Sequence, residues 1–481
     1  MPRRAALFTI TLLLLGTFCS REKGKAMHEE NHARIADHLI DEALRSDLAY
    51  AKLSHLSTRI GHRLCGSHAL EEAITWAEET MRRDGLANVR SEPVMVPCWV
   101  RGEERAELLT PVRRELKILG LGMSVGTPPE GIEADVVAVE SFDELERLGR
   151  EEVEGKIVLY AVPYEGYGGT VDYRLHGASR AARLGAVAAL VRSISPARHD
   201  TPHTGTLFYD DDSPRIPAAA VTVEDAERIR GAAARGEPVR ARIAMGARLL
   251  GDAPSANVIG EVAGREKPEE IVLIGGHIDS WDVGQGAQDD GVGCVIAMEA
   301  ARLIHRLGAP PRRTIRVVLF TNEENGTRGG KAYRDGHREE LPLHVAAIES
   351  DAGNGLAAGF GLDLRVPGLE GEALERARAR GVELLARIAP FLERLGAGDM
   401  RTGWSGVDIG PIVEAGVPGL GMRHDTSRYF DVHHSDADRI DRIDPEALRR
   451  NTAILAVTAY LLADFPESLA EIAAEERDGG S

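Results

Sequence analysis

Short apolar runs separated by polar and glycine-rich segments recur along the chain, and their period changes from region to region. Ile35, Leu39 and Ala43 fall at helical spacing, as do Ala73, Ala77 and Met81 within Glu71 to Arg83, where Gly85 supplies the stop. A turn at Gly61 to Ser67 lies between them. Val89 to Val96 predicts an edge strand, because Pro93 cannot donate to a ladder, and Leu116 to Leu119 a shorter strand before Gly120. Over residues 126–250 the texture turns to short strands and Ala/Gly-rich segments: Ala134 to Val139, Gly155 to Tyr160, a helical Ala178 to Leu190 leading into Val191, then Pro214 to Val221 and a helix at Glu224 to Arg230. This stretch predicts a noncatalytic insertion. After Asn257 the pattern changes again, with a buried strand at Ile271 to Gly276, a helix at Gly291 to Leu307, a second strand at Thr314 to Phe320 and a final helix at Pro445 to Leu462. Alternation of that kind predicts an α/β fold, a mostly parallel central sheet with helices on both faces. Polar groups placed just beyond the carboxyl ends of its strands are then the candidates for chemistry.

Composition narrows this picture. The 481 residues carry 76 acidic against 58 basic side chains, a net charge of -18, which excludes a broad phosphate-binding surface and with it nucleic acid as a partner. Four cysteines, Cys19, Cys65, Cys98 and Cys294, are too few for a disulfide scaffold and include no close pair for a thiolate zinc knuckle; a single Cys65 to Cys98 bridge stays open. Met1-Pro-Arg-Arg followed by the largely apolar Ala5 to Leu15 predicts an export signal over 1–18, too short to span a bilayer. Cys19 resembles a bacterial lipoprotein cleavage site, although Phe18 departs from the usual small residue, so lipidation and ordinary cleavage both stand. The expected location is extracytoplasmic: periplasmic, secreted, or tethered to the outer membrane through a polar segment at 19–32.

The acids and histidines cluster where that sheet ends its strands. His277 and Asp279 follow the first strand on one face, so Asp279 is placed to take the spare ring N–H of His277 while the other nitrogen binds a metal. Asp289 and Asp290 open the Gly291 helix; Asp290 serves as its cap, leaving Asp289 free to bridge two cations. Glu323 and Glu324 follow Phe320 and face different directions, so one can ligate while the other accepts a proton. Glu349-Ser-Asp351 repeats the arrangement, and His433-His434-Ser-Asp436 adds imidazoles. Histidine and carboxylate together suit zinc.

These blocks, from Gly275-Gly-His277-Ile-Asp279 through Gln288-Asp289-Asp290-Gly, Asn322-Glu-Glu324, Glu349-Ser-Asp351 and His433-His434-Ser-Asp436, resemble the M28 family of zinc peptidases, in the branch that contains the plasma glutamate carboxypeptidase. Arg63-Leu-Cys-Gly-Ser67 and Trp99-Val-Arg-Gly-Glu103 extend the resemblance upstream. It implies a zinc-exopeptidase fold in which 33–125 and 251–472 form the peptidase domain, 126–250 is a protease-associated-like insertion, and 473–481 is a polar tail. It also implies two Zn²⁺ per subunit bridged by Asp289, one with His277 and Asp351 and the other with His434 and Glu324. Glu323 becomes the general base, Asp279 the residue orienting His277, and short peptides with a free amino terminus the substrates. A homodimer is implied as well.

Weaker candidates surround this set. His433, Asp408 and Tyr429 are candidate substrate contacts, and Arg401 and Arg423 candidate partners for a substrate carboxylate, with surface charge the simpler reading of both. Asn325-Gly-Thr327 matches a glycosylation acceptor but sits in the proposed active-site loop. The competing functions are a broader aminopeptidase on longer peptides and a noncatalytic binding protein on the same fold.

Overall fold

The computed structural model describes residues 29–479; the expected export signal and Cys19 lie outside them. Helix α1 spans 29–45, so it begins inside the segment expected as a tether. The central sheet is built from β1 (Ala87–Val100), β2 (Arg248–Val262), β3 (Lys267–His277), β4 (Arg313–Phe320), β5 (His344–Glu349), β6 (Ala357–Asp363), β7 (Asp399–Thr402) and β8 (Gly419–His424). Their spatial order is β1-β2-β4-β3-β5-β8-β6-β7. Strands β4, β3, β5 and β8 run parallel, as expected, whereas β1 and β2 join antiparallel on one side and β6 joins β8 antiparallel on the other. Strand β1 lies at the sheet edge, where Pro93 costs no interior ladder bond.

Both faces of the parallel strands are covered, which is why they read as unbroken apolar runs. On one face Val272, Ile274, Val317, Leu319 and Ile348 pack against α1, α2 (His68–Asp84), α3 (Val292–Arg306) and α4 (Pro445–Asp464). Each such fully buried side chain contributes about 2 kcal/mol by removing apolar surface from water. On the other face Leu273, Val318, Phe320 and Ala347 meet Tyr333, Ile412 and Val413. Helix α4 starts where Asp444 accepts the Glu446 N–H at 2.9 Å and Pro445 occupies the first turn. A further helix, α5 (Leu469–Gly479), runs through the expected polar tail; Ser468 and Glu471 cap it reciprocally, and Glu475 and Glu476 pair with Arg380.

A second eight-stranded sheet is formed wholly by residues between β1 and β2. Its strand Glu104–Thr110 precedes the expected start of the insertion at 126, because its inward-pointing Ala106 and Leu108 are interspersed with Glu104, Arg105 and Glu107 and so give little apolar signal. Ile157 and Leu159 enter one core while Val158 and Tyr160 enter another on the opposite face. A helix at Phe142–Val153, absent from the sequence expectation, begins with Ser141 accepting the Glu144 N–H at 3.0 Å. The open Cys65 to Cys98 bridge is not formed: both are free thiols, with Cys65 Sγ 3.3 Å from Asp279 Oδ2.

Candidate metal centre

The register of the parallel strands brings their ends level. His277 pairs with Phe320 across β3 and β4, and Gly275 with Glu349 across β3 and β5, so His277, Glu323, Glu324 and Asp351 emerge around one point. Asp289 reaches the same point from the loop that opens α3, where Asp290 accepts the N–H groups of Gly293 (3.0 Å) and His277 (3.1 Å). Close packing of α3 on the strand ends needs glycine at 293, since a Cβ there would lie 1.8 Å from the Ser350 carbonyl oxygen. His433 and His434 arrive on the loop after β8.

Asp289 lies at the middle. Its Oδ1 is 3.3 Å from His277 Nε2, and its Oδ2 is 3.2 Å from His434 Nε2 and 3.5 Å from His433 Nε2. Asp351 Oδ1 stands 3.8 Å from His277 Nε2, and Glu324 Oε2 3.0 Å from His434 Nε2. Among the described residues the donor atoms of Asp289, His433 and His434 all lie within 4.8 Å of one another, as do those of His277, Asp290 and Asp351. Asp290 spends each oxygen on a backbone N–H, so Asp289 and Asp351 are the freer carboxylates beside His277.

Four buried atoms here have no hydrogen-bond partner: His277 Nε2, Asp289 Oδ2, Glu324 Oε1 and Asp351 Oδ1. Buried polar atoms are costly when unpaired, and imidazole nitrogen with carboxylate oxygen is a donor set for a divalent cation. The residues present fit divalent-cation binding.

Burial would push the Asp289 carboxyl up, but its contacts with His277 and His434 hold it well below the usual range. Burial, reinforced by the charges of Asp351 and Glu324, pushes Glu323 well above it. Glu324 is raised to about 7, by burial first.

Asp279 acts differently from expectation. The His277 ring donates from Nδ1 to the backbone oxygen of Asp279 at 3.1 Å, while the carboxylate is 3.8 Å away. The carboxylate instead accepts the N–H groups of Glu323 (3.1 Å) and Glu324 (3.3 Å), fixing the acidic turn. Local chain geometry decides this: a carbonyl two residues on reaches the ring more directly than the side chain does.

His433 stacks on His434 with ring centroids 3.5 Å apart, and Tyr429 packs 5.0 Å from His433. Asp408 is fully buried with neither carboxylate oxygen bonded; burial and the neighbouring Glu349 push its carboxyl well up. Arg423 pairs with Asp399 at 2.5 Å and Arg401 is exposed on edge strand β7, so both act as surface charge. Asn325 is buried and accepts from Asn322, which fits an active-site loop.

Several contributors escaped the sequence reading. Asp438 accepts the N–H groups of Ala287 (3.2 Å), Gln288 (2.7 Å) and Asp289 (3.2 Å), clamping the central carboxylate. Arg63, noted only as part of a resemblance, is fully buried and donates to the carbonyls of Ile278, Gly61, Gln285 and Gly286. From segments that connect strands of the second sheet, Arg174 on the helix Asp172–Arg183 and His203 and Thr204 before the strand Ala218–Val221 reach the His433-His434 loop. The HTGT run at 203–206 between two short strands was the available signal, but nothing local says which loop it will meet.

Residues 257–459 match the profile of Peptidase family M28. Over 475 residues the chain is 40% identical to carboxypeptidase Q of Mus musculus, covering 96% of this chain and 98% of that protein. The crystal structure of a peptidase M28 precursor from Shewanella amazonensis SB2B superposes with a TM-score of 0.86 at 35% identity, covering 92% of this chain and 98% of that one. A zinc aminopeptidase from Bacillus subtilis shares the fold, with a TM-score of 0.62 at 22% identity over 88% of this chain and 96% of that one.

Proposed function

Because the chain belongs to peptidase family M28, we propose that it is a dinuclear zinc exopeptidase hydrolysing dipeptides or short peptides with a free amino terminus. The observation that carries this reading is the Asp289 carboxylate facing an unpaired imidazole nitrogen on one side and a second imidazole on the other. His277 with Asp351, and His434 with Glu324, complete the two donor sets. Zinc ions held there supply, when bound, polarisation of a carbonyl oxygen and a water acidic enough to react near neutral pH. The chain's own part is proton transfer and positioning. Glu323, with its affinity for protons raised by burial, accepts the proton of the attacking water and returns one to the departing amine. Asp279 holds the backbone of Glu323 and Glu324 so that base and ligand keep their separate directions. The basic and then apolar start of the chain supports export, with Cys19 as the point of cleavage or lipidation.

Dipeptides and progressively longer peptides, offered to zinc-loaded protein, chelated protein and Glu323→Gln, test the proposal. Metal-dependent cleavage confined to the shortest substrates is expected, with kcat reduced roughly 10²–10⁴-fold in the variant. Sustained cleavage of long chains from the amino end would make it a broader aminopeptidase, and metal uptake without amide hydrolysis a binding protein.

A further inference from the structure

We propose that the second sheet positions one of the two metal histidines, so that it governs one cation position and leaves the other alone; this rests on the two-cation reading above. His434 adopts φ 57°, the left-handed region that non-glycine residues avoid, and such a conformation persists only where its surroundings fix it. Those surroundings come from residues 201–206. The Thr204 N–H donates to the His434 carbonyl at 2.8 Å, and His434 Nδ1 donates back to the Thr204 carbonyl at 3.3 Å. His203 Nδ1 donates to the preceding carbonyl, that of His433, at 2.7 Å, and Thr201 Oγ1 to Asp436 at 2.5 Å. A proton kept on Nδ1 leaves Nε2 as the lone-pair nitrogen facing Asp289 and Glu324.

Arg174 holds this loop in turn. Its guanidinium is buried, donates to the carbonyls of Thr204 (3.4 Å) and Thr206 (3.2 Å) and to the Tyr167 hydroxyl (2.9 Å), and lies 3.4 Å from His434 Nδ1. Gly205 makes the fit: at φ 132° a Cβ there would lie 2.3 Å from Arg174 Nη1. His277 has no such dependence, since its Nδ1 bonds the carbonyl of Asp279 in its own strand end. Arg174, His203 and Gly205 are therefore positioning residues acting through His434.

Zinc uptake by the full chain, measured by metal analysis and chelator competition, with cobalt(II) absorption as a second readout, decides the matter. Two equivalents on the unaltered chain establish the premise; fewer would overturn the two-cation reading itself, before any variant is compared. In Arg174→Ala, His203→Ala and Gly205→Ala one equivalent should keep its affinity while the other weakens about 10–100-fold. His203→Asn, whose amide can still donate to the His433 carbonyl, should recover most of the loss. Arg198→Ala, which removes an exposed pair with Glu227 on the helix Val223–Ala234 beside the same sheet, should bind like the unaltered chain. Two equivalents at unchanged affinity in all three variants, or equal weakening of both, would overturn the proposal. Should Gly205→Ala fail to fold, His203→Ala, which removes one hydrogen bond, decides by the same criteria.

Discussion

His277 and His434 offer equivalent nitrogens to the same carboxylate, yet the chain secures them by opposite means. His277 ends a central parallel strand, is fully buried, and has its tautomer set by a carbonyl two residues away. His434 stands on a loop with a left-handed backbone and is tied to Thr204, in a connection of the second sheet more than two hundred residues earlier in sequence. One histidine is a by-product of strand register; the other depends on how the connections of the second sheet dock. The rigid half can be altered only by damaging the core, whereas the loop half is open to adjustment from the second sheet.

The comparison can be broken outright at the carboxylate both halves share. Asp289→Ala should abolish metal uptake at both positions and reduce peptide hydrolysis to background, measured by metal analysis and steady-state kinetics. Asp438→Ala should come next: it leaves three buried N–H groups without their acceptor and should lower unfolding free energy by about 3 kcal/mol in denaturant titration, while weakening both cations together.

A change in the body remote from both histidines should move stability alone. Asp464 accepts from His32 at 2.9 Å and from Arg265 and the Arg312 N–H, joining α1 and α4 to the sheet. Burial pushes its carboxyl up, but these donors outweigh it and lower it to about 2. Because the folded value lies below the unfolded one, its stabilisation is complete above pH about 4 and is lost as pH falls toward 2. Asp464→Asn should therefore cost about 2 kcal/mol at neutral pH and flatten the acid limb of a pH-dependent melt, with zinc affinity unchanged. Smallest of all, Arg150→Ala, which removes an exposed pair with Glu154 at the end of the helix Phe142–Val153, should shift stability by less than about 0.5 kcal/mol.

The same contrast explains what could be read from the sequence. Strand ends carry their own signal, since an apolar run followed by acids and histidines places those groups at the carboxyl edge whatever the rest of the chain does; His277, Glu323, Glu324 and Asp351 were legible for that reason, and Asp289 as the surplus acid at a helix start. Asp289 lies 3.3 Å from one imidazole nitrogen and 3.2 Å from the other. Asp279 was legible as a residue of the site but not in its contact, because whether backbone or side chain reaches a ring depends on torsions the sequence does not display. Asp438, Arg174, His203 and Thr204 act through backbone groups of a distant loop, and a hydrogen bond to a carbonyl asks for no particular partner residue. The early start of the second sheet was hidden by charged residues on its solvent side, as at Glu104 to Thr110.

An anomalous difference map at the zinc edge, from crystals grown with zinc, tests the central claim most directly. Two peaks about 3.5–4 Å apart on either side of the Asp289 carboxylate are expected, one toward His277 and Asp351 and the other toward His434 and Glu324. A single peak, or peaks that do not share Asp289, would contradict it.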